Sequence, residues 1–110
     1  MSAVAYTVSV TFADAKLADE WLRWLRGGHL TEVLSGGASD AEVIELDGGP
    51  CRSFEVRYHF PSRTMFEDYE RDHAPRLRAE GLRLFGPEKG AVYRRSLGTV
   101  VTTSPEGERI

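Results

Sequence analysis

Two stretches of the chain alternate apolar and polar residues with a period of two. In residues 4 to 12, Val4, Tyr6, Val8, Val10 and Phe12 share one parity, while Ala5, Thr7, Ser9 and Thr11 share the other. In residues 52 to 60, Phe54, Val56, Tyr58 and Phe60 oppose Ser53, Glu55, Arg57 and His59. Successive side chains of a strand point to opposite faces, so each stretch predicts a strand with one face buried and one polar. Residues 40 to 47 and 91 to 101 predict two further strands, the last with weaker alternation. Asp47-Gly48-Gly49-Pro50 is turn chemistry, and it predicts a hairpin between the second and third strands.

Between these strands the period becomes helical. Asp14 offers an N-cap, and Leu17, Trp21, Trp24 and Leu25 form an apolar stripe over 14 to 26 before Gly27-Gly28 interrupts it. Leu30, Val33 and Leu34 predict that the helix resumes and then stops at Gly36-Gly37. In the second helical region Thr64 and Glu67 have capping-box spacing, and Met65, Phe66, Tyr69 and His73 lie near one stripe. Pro75 disfavours helical geometry at Ala74, so a break falls there, with Pro75 opening a second segment that carries Leu77, Leu84 and Phe85.

The order strand, helix, strand, strand, helix, strand is the split βαβ arrangement of a ferredoxin-like α+β domain. It predicts a four-stranded antiparallel sheet with the helices on one face. One such domain is expected over residues 1 to 101, which suits a chain of 110 residues. Residues 102 to 110 have no apolar period and are expected to form a disordered or loosely attached polar tail.

Charge and composition narrow the chemistry. Fourteen basic against 17 acidic side chains leave a formal charge of −3, the wrong sign for general phosphate-backbone binding. The exposed parity of the two central strands carries no aromatic residue for base stacking, which also argues against RNA. No stretch approaches the ~18 apolar residues of a membrane span. The N-terminus has no basic segment followed by an apolar run, so a cytoplasmic location is expected. Cys51 is alone, which excludes a Cys-x-x-Cys site, and the three histidines fall on separate elements at no ligand spacing. No metal and no cofactor are expected. Twelve Arg to two Lys, with no Asn or Gln, read as the habit of a GC-rich bacterial source.

Trp21 and Trp24 in the first helix, His29 and Gly36 after it, and His73-Ala74-Pro75 with Arg76 and Arg78 in the second region resemble the bacterial domain of unknown function 4286 family. The resemblance covers roughly residues 4 to 98. It implies a ferredoxin-like domain of the dimeric α/β-barrel type and a homodimer, but no reaction. Haem-degrading monooxygenases of the same broad fold, which use an Asn, a Trp and a helix His, also resemble this architecture, but the chain has no Asn.

The polar comb Ser53, Glu55, Arg57, His59 has three readings: a solvated face, a cavity between two sheet faces of a dimer, or a nucleic-acid surface, which the charge disfavours. Glu55 and His59 are about 13 Å apart along a strand and cannot form a dyad. Glu55 and Arg57, about 6.6 Å apart on the same rise, can pair. An acid/base partner would have to come from the fourth strand, such as Tyr93 or Arg95, or from another subunit. His29 and His73 sit at helix interruptions, where they either cap and pack or face a ligand. The candidate ligand-binding residues are therefore Glu55, Arg57, His59, His29, His73, Tyr93 and Arg95. Trp21 and Trp24 have core spacing, and Arg71, Arg76, Arg78 and Arg83 among acidic neighbours read as a solvated, salt-bridged surface. The expectation is a homodimer that binds a small polar or anionic ligand between sheet faces. The alternative is a cofactor-free monooxygenase or isomerase in the same cavity.

Overall fold

A computed structural model describes residues 2–104. Strand β1 (Val4–Phe12) leads to helix α1 (Ala15–Trp24), a kinked segment at Leu25–His29 and helix α2 (Leu30–Ser35). The hairpin of β2 (Asp40–Leu46) and β3 (Arg52–Phe60) follows, then α3 (Arg63–Asp72), α4 (Ala74–Leu84) and β4 (Ala91–Thr99). The four strands form one antiparallel sheet in the order β2-β3-β1-β4, so the two alternating strands are its centre.

The register explains which parity is buried. Val10 pairs with Phe54, Val8 with Val56 and Tyr6 with Tyr58, so the large residues of both strands share one face. Phe12, Phe54, Phe60, Val4, Val10 and Val56 are fully buried there beneath the helices, together with Val33 from α2. Aromatic rings collect at the two ends of this face. Phe12, Phe54 and Trp21 meet at centroid distances of 5.1–6.1 Å. At the other end Tyr6, Phe60, Phe66 and Tyr69 meet at 5.1–6.4 Å.

Two of the helices, α1 and α3, start at a side-chain cap. The Asp14 carboxylate accepts from the Lys16 backbone N–H at 2.9 Å, as its N-cap position predicts. The cap of α3 is not Thr64. Ser62 Oγ accepts from the Met65 N–H at 3.2 Å, and Ser62 is buried. The hydroxyl nearest to the end of β3 reaches the first orphan donors, so the helix begins before the Thr64–Glu67 spacing comes into play. The helix breaks one residue before the expected Ala74: His73 leaves helical geometry at φ −124°, Ala74 opens α4, and Pro75 lies in its first turn.

The first helical region is interrupted at its glycines, as the sequence predicts. Gly28 leaves helical geometry at φ 152°, and the chain kinks there before α2. A side chain is strained at that angle, so a glycine lets the chain redirect at this point. Cys51 lies in the turn before β3, half-buried. The fourth strand ends at Thr99, two residues short of the expected end, although Val100 still donates to the Ala3 carbonyl at 2.9 Å. Of the expected polar tail, residues 102–104 are irregular and exposed, and 105–110 lie outside the described residues.

Candidate functional site

The sheet presents two surfaces of different chemistry. On the face away from the helices, four cross-strand rows run Leu46–Ser53–Thr11–Val92, Ile44–Glu55–Ser9–Arg94, Glu42–Arg57–Thr7–Ser96 and Asp40–His59–Ala5–Gly98. Arg57 pairs with Glu55 at 2.7 Å, with side-chain exposures of 47% and 25%. His59 Nδ1 lies 2.7 Å from Asp40 Oδ1 across the hairpin, and both side chains are exposed. The β1 side chains on this face, Ala5, Thr7, Ser9 and Thr11, are small, and Leu46 and Val92 stand at one end with 41% and 61% of their surface exposed.

The register corrects one expected grouping. Ser9 faces Glu55 on one side and Arg94 on the other, whereas Arg95 aligns with Val8 and Tyr93 with Val10. Tyr93 and Arg95 therefore lie on the helix side of the sheet and cannot partner Glu55. The weak alternation of β4 concealed its parity, and Arg94 is the strand-four cation on the polar face.

On the helix side the aromatic clusters at both ends are bulky, while the middle row runs Val43–Val56–Val8–Arg95, with only valines on the two central strands. The helices are thus propped away from the sheet over these valines, and a cavity of about 60 Å³ is left. A single water needs roughly 10–15 Å³ on the same scale. All four tyrosines of the chain, Tyr6, Tyr58, Tyr69 and Tyr93, contribute to its wall. The roof is Trp24, Leu25 and His29 from one side and Leu77, Arg78 and Gly81 from the other. Leu82 and Arg95 are its exposed members, and they place the mouth between α4 and β4.

The lining contains two arginines and no carboxylate. Arg78 pairs with Glu70 outside the cavity, donates to Tyr6 Oη at 2.9 Å, and places its guanidinium carbon 5.9 Å from the Tyr6 ring centroid. Its Nε is buried with no hydrogen-bond partner among the described residues. A buried donor left unpaired is costly, and the pairs that the same guanidinium makes with Glu70 and Tyr6 are what hold it in place. Burial raises the phenol pKa values of Tyr58, Tyr69 and Tyr93, to about 12 for Tyr69 and for Tyr93. They stay protonated and present neutral O–H groups. Tyr93 spends its own on the Phe85 carbonyl at 2.8 Å.

His29 is the one histidine that reaches this cavity. Its ring stacks on Trp24 at 4.1 Å and 24°, and burial lowers its pKa to about 4 despite the opposing carboxylates Glu80 and Glu32. At neutral pH it is an uncharged imidazole, a hydrogen-bonding group and a weak base. An outer groove of about 180 Å³, edged by Gly27, Gly28, Glu32 and Glu80, lies on the far side of the same Trp24–His29 pair.

The seven candidate residues thus fall into three places. Glu55, Arg57 and His59 lie on the open face, His29, Tyr93 and Arg95 line the cavity, and His73 does neither. His73 stacks on Tyr69 at 6.3 Å and 12° above Gly36, where it packs the break between α3 and α4. Among the described residues no cluster of His, Cys, Asp or Glu has the geometry of a metal site. No helix of the described residues is long and apolar enough to cross a membrane. Residue spacing gave no warning of Tyr6, Tyr58, Tyr69, Trp24 or Arg78 as cavity residues. The available signal was chemical: hydroxyl-bearing tyrosines on otherwise apolar stripes need a polar space or a partner.

Fold and cavity together define a ferredoxin-like domain of the type found in dimeric α/β barrels. The chain belongs to the family named domain of unknown function DUF4286, whose model matches residues 3–100. A dimeric ferredoxin-like protein from an uncultured marine organism is similar in structure, with a TM-score of 0.72 and 14% identity over 94% of this chain and 100% of that one. SnoaB, a cofactor-independent oxygenase from Streptomyces nogalater, gives 0.65 and 15% over 96% and 100%. The de novo designed protein Foldit4 gives 0.61 and 17% over 89% and 98%. An oxygenase and a designed protein match almost equally well, so the likeness establishes the fold and not a reaction. No curated protein matches the chain in sequence.

Proposed function

We propose that this domain is a homodimer that binds a small, flat, anionic organic molecule in the cavity between sheet and helices. The carrying observation is the lining itself: two arginines, four tyrosines, a neutral imidazole and no carboxylate, in a protein of net charge −3. Aromatic walls favour a planar ligand. Arg78 in the wall and Arg95 at the mouth favour a carboxylate, phenolate or enolate on it. This moves the ligand from the polar face, where the sequence alone pointed, to the opposite side of the sheet.

The dimer is a separate part of the proposal. The open face has a row of small β1 side chains with exposed Leu46 and Val92 at one end, and a structural neighbour is a dimeric protein. Pairing through this face leaves the cavity mouth, between α4 and β4, accessible. A cytoplasmic location fits both parts.

The ligand test is calorimetric titration with 2-naphthoate and with its neutral amide at pH 7. The anion is expected to bind at least about tenfold more tightly, as one charge-assisted hydrogen bond allows, and Arg78→Met should abolish the difference. Equal affinity for the two compounds, or no binding of either, would sink the proposal.

The second reading, a cofactor-free oxygenase or isomerase acting on the same ligand, draws on the likeness to SnoaB and on the uncharged His29 in the cavity wall. Oxygen consumption or isomer formation on adding an enolic substrate, lost in His29→Phe, distinguishes it from binding alone.

A further inference from the structure

Of the four tyrosine hydroxyls around the cavity, two are already engaged. Tyr6 Oη accepts from Arg78 at 2.9 Å, and Tyr93 Oη donates to the Phe85 carbonyl at 2.8 Å. The hydroxyls of Tyr58, on β3, and Tyr69, on α3, have no hydrogen-bond partner among the described residues, although the two residues keep only 2% and 4% of their surface exposed. Among the described residues Arg78 Nε is the one side-chain polar atom that is both sealed from water and unpaired. The two phenol oxygens, also unpaired, therefore touch open space, and the space that both residues border is the cavity. A buried hydroxyl in that position needs a partner from outside the chain.

The two phenols are neighbours. Both rings pack on that of Tyr6, at centroid distances of 6.0 Å for Tyr58 and 6.4 Å for Tyr69. Burial raises the Tyr58 pKa, with Tyr69 and Tyr6 adding to the rise. Burial and then Tyr6 raise that of Tyr69 to about 12, with Glu70 adding to the rise and Arg78 and Arg95 opposing it. Both phenols are thus neutral donors at pH 7, with positive charge in reach of one of them. Arg78 is held by Glu70 and Tyr6, and Arg95 stands at the exposed mouth, so the free donors inside the cavity are O–H groups. A guanidinium fork matches the two oxygens of a carboxylate, whereas separate hydroxyls match one oxygen that carries the charge. We infer that Tyr58 and Tyr69 are specificity-determining residues whose hydroxyls donate to the single anionic oxygen of a phenolate or enolate. This rests on the ligand reading proposed above and narrows the class of anion.

The test uses 4-nitrophenol, whose coloured phenolate reports its own ionisation, and its uncharged methyl ether 4-nitroanisole, each titrated with the intact chain at several pH values around neutrality. Donors to the charged form favour it, so the bound phenol should ionise at a lower pH than the free one. Tyr58→Phe and Tyr69→Phe each remove a hydroxyl and keep the ring, and an unchanged melting temperature checks that they fold. Either should weaken the phenolate by about tenfold, move the bound ionisation back toward that of free 4-nitrophenol, and leave 4-nitroanisole within about twofold. A merely structural role would weaken both compounds alike and leave the bound ionisation in place. That result, a bound phenol that ionises no more readily than the free one, or no binding of 4-nitrophenol by a chain that binds 2-naphthoate would each overturn the inference and leave the anion site standing. A wild type that binds neither 4-nitrophenol nor 2-naphthoate would remove the anion site and the inference together.

Discussion

His73 and Tyr69 lie nearly parallel, at an interplanar angle of 12° and a centroid distance of 6.3 Å, and their rings close over the bare Cα of Gly36. Two residues one helical turn apart thereby join a distant glycine at the end of α2 to the break between α3 and α4. The histidine is a packing group in this arrangement, and its glycine partner is the element that makes the stack possible.

A methyl group at Gly36 would lie 2.9 Å from Tyr69 Cδ1 and 3.1 Å from His73 Cγ. Tyr69 is buried and cannot swing away. Gly36→Ala is therefore expected to destabilise the fold by about 1–3 kcal/mol, the usual range for overpacking, and His73→Ala should recover part of the loss. Urea denaturation of the two single variants and the double variant checks this. An unaffected Gly36→Ala would show that the stack has room to open.

The cap of α3 gives a second prediction. Ser62→Ala removes the acceptor for the Met65 N–H and should cost about 0.5–2 kcal/mol, while Thr64→Ala should stay within about 0.5 kcal/mol, as surface substitutions do. Thermal denaturation of the two variants decides between them. A larger loss from Thr64→Ala would reinstate the capping box expected from the sequence.

The sheet was legible because its signal is redundant. The period of two in β1 and β3 has large residues on one side only, and a slip of one residue would expose Phe12, Phe54 and Phe60 together. The site was not legible to the same degree, because a cavity arises from differences in volume between rows. Val8 and Val56 look like any other core pair in sequence. Only their place between two aromatic clusters makes them the floor of a space. Tyr93 and Arg95 lie on the helix side of the sheet and not on the polar face, a placement that β4 alternates too weakly to reveal. Arg78 looked like one charge among many, and the fold turns it toward Tyr6.

The open face gives a prediction that links the dimer to one ion pair. In the single chain the Arg57–Glu55 pair is half-exposed, and such pairs contribute about 0 to 1 kcal/mol. A double-mutant cycle of Glu55→Ala and Arg57→Ala should give coupling in that range at dilutions where the chain is monomeric. At concentrations where sedimentation equilibrium reports a dimer, the coupling should rise above it, because the facing subunit excludes water. Coupling that does not change with concentration, or a monomer mass throughout, would count against pairing through this face.

His29 gives the protein a specific acid limb. Burial lowers its pKa to about 4, with Trp24 of α1 stacked on it and the carboxylates Glu32 of α2 and Glu80 of α4 opposing the shift, whereas an unfolded histidine titrates near about 6.5. Between those values the unfolded chain holds a proton that the native chain lacks, so native stability must rise with pH in this window. The contribution is complete above about pH 6.5 and is lost as the pH falls toward about 4, amounting to roughly 2 kcal/mol between pH 7 and pH 5. Asp19, Glu45 and Asp72, whose pKa values are lowered chiefly by hydrogen bonds to arginine, contribute in the opposite sense of charge and at lower pH. Their stabilisation is present above their unfolded values near about 4 and lost below, so the two windows separate. His29→Phe keeps a flat ring against Trp24 and removes the titration, while His59 and His73 remain in both proteins and cancel in the comparison. Equilibrium urea denaturation of wild type and variant at pH 7, 6 and 5 should show the wild type losing the additional roughly 2 kcal/mol. Parallel pH dependences in the two proteins would mean that His29 is hydrated in the native state, and the uncharged imidazole would then have to be struck from the cavity wall.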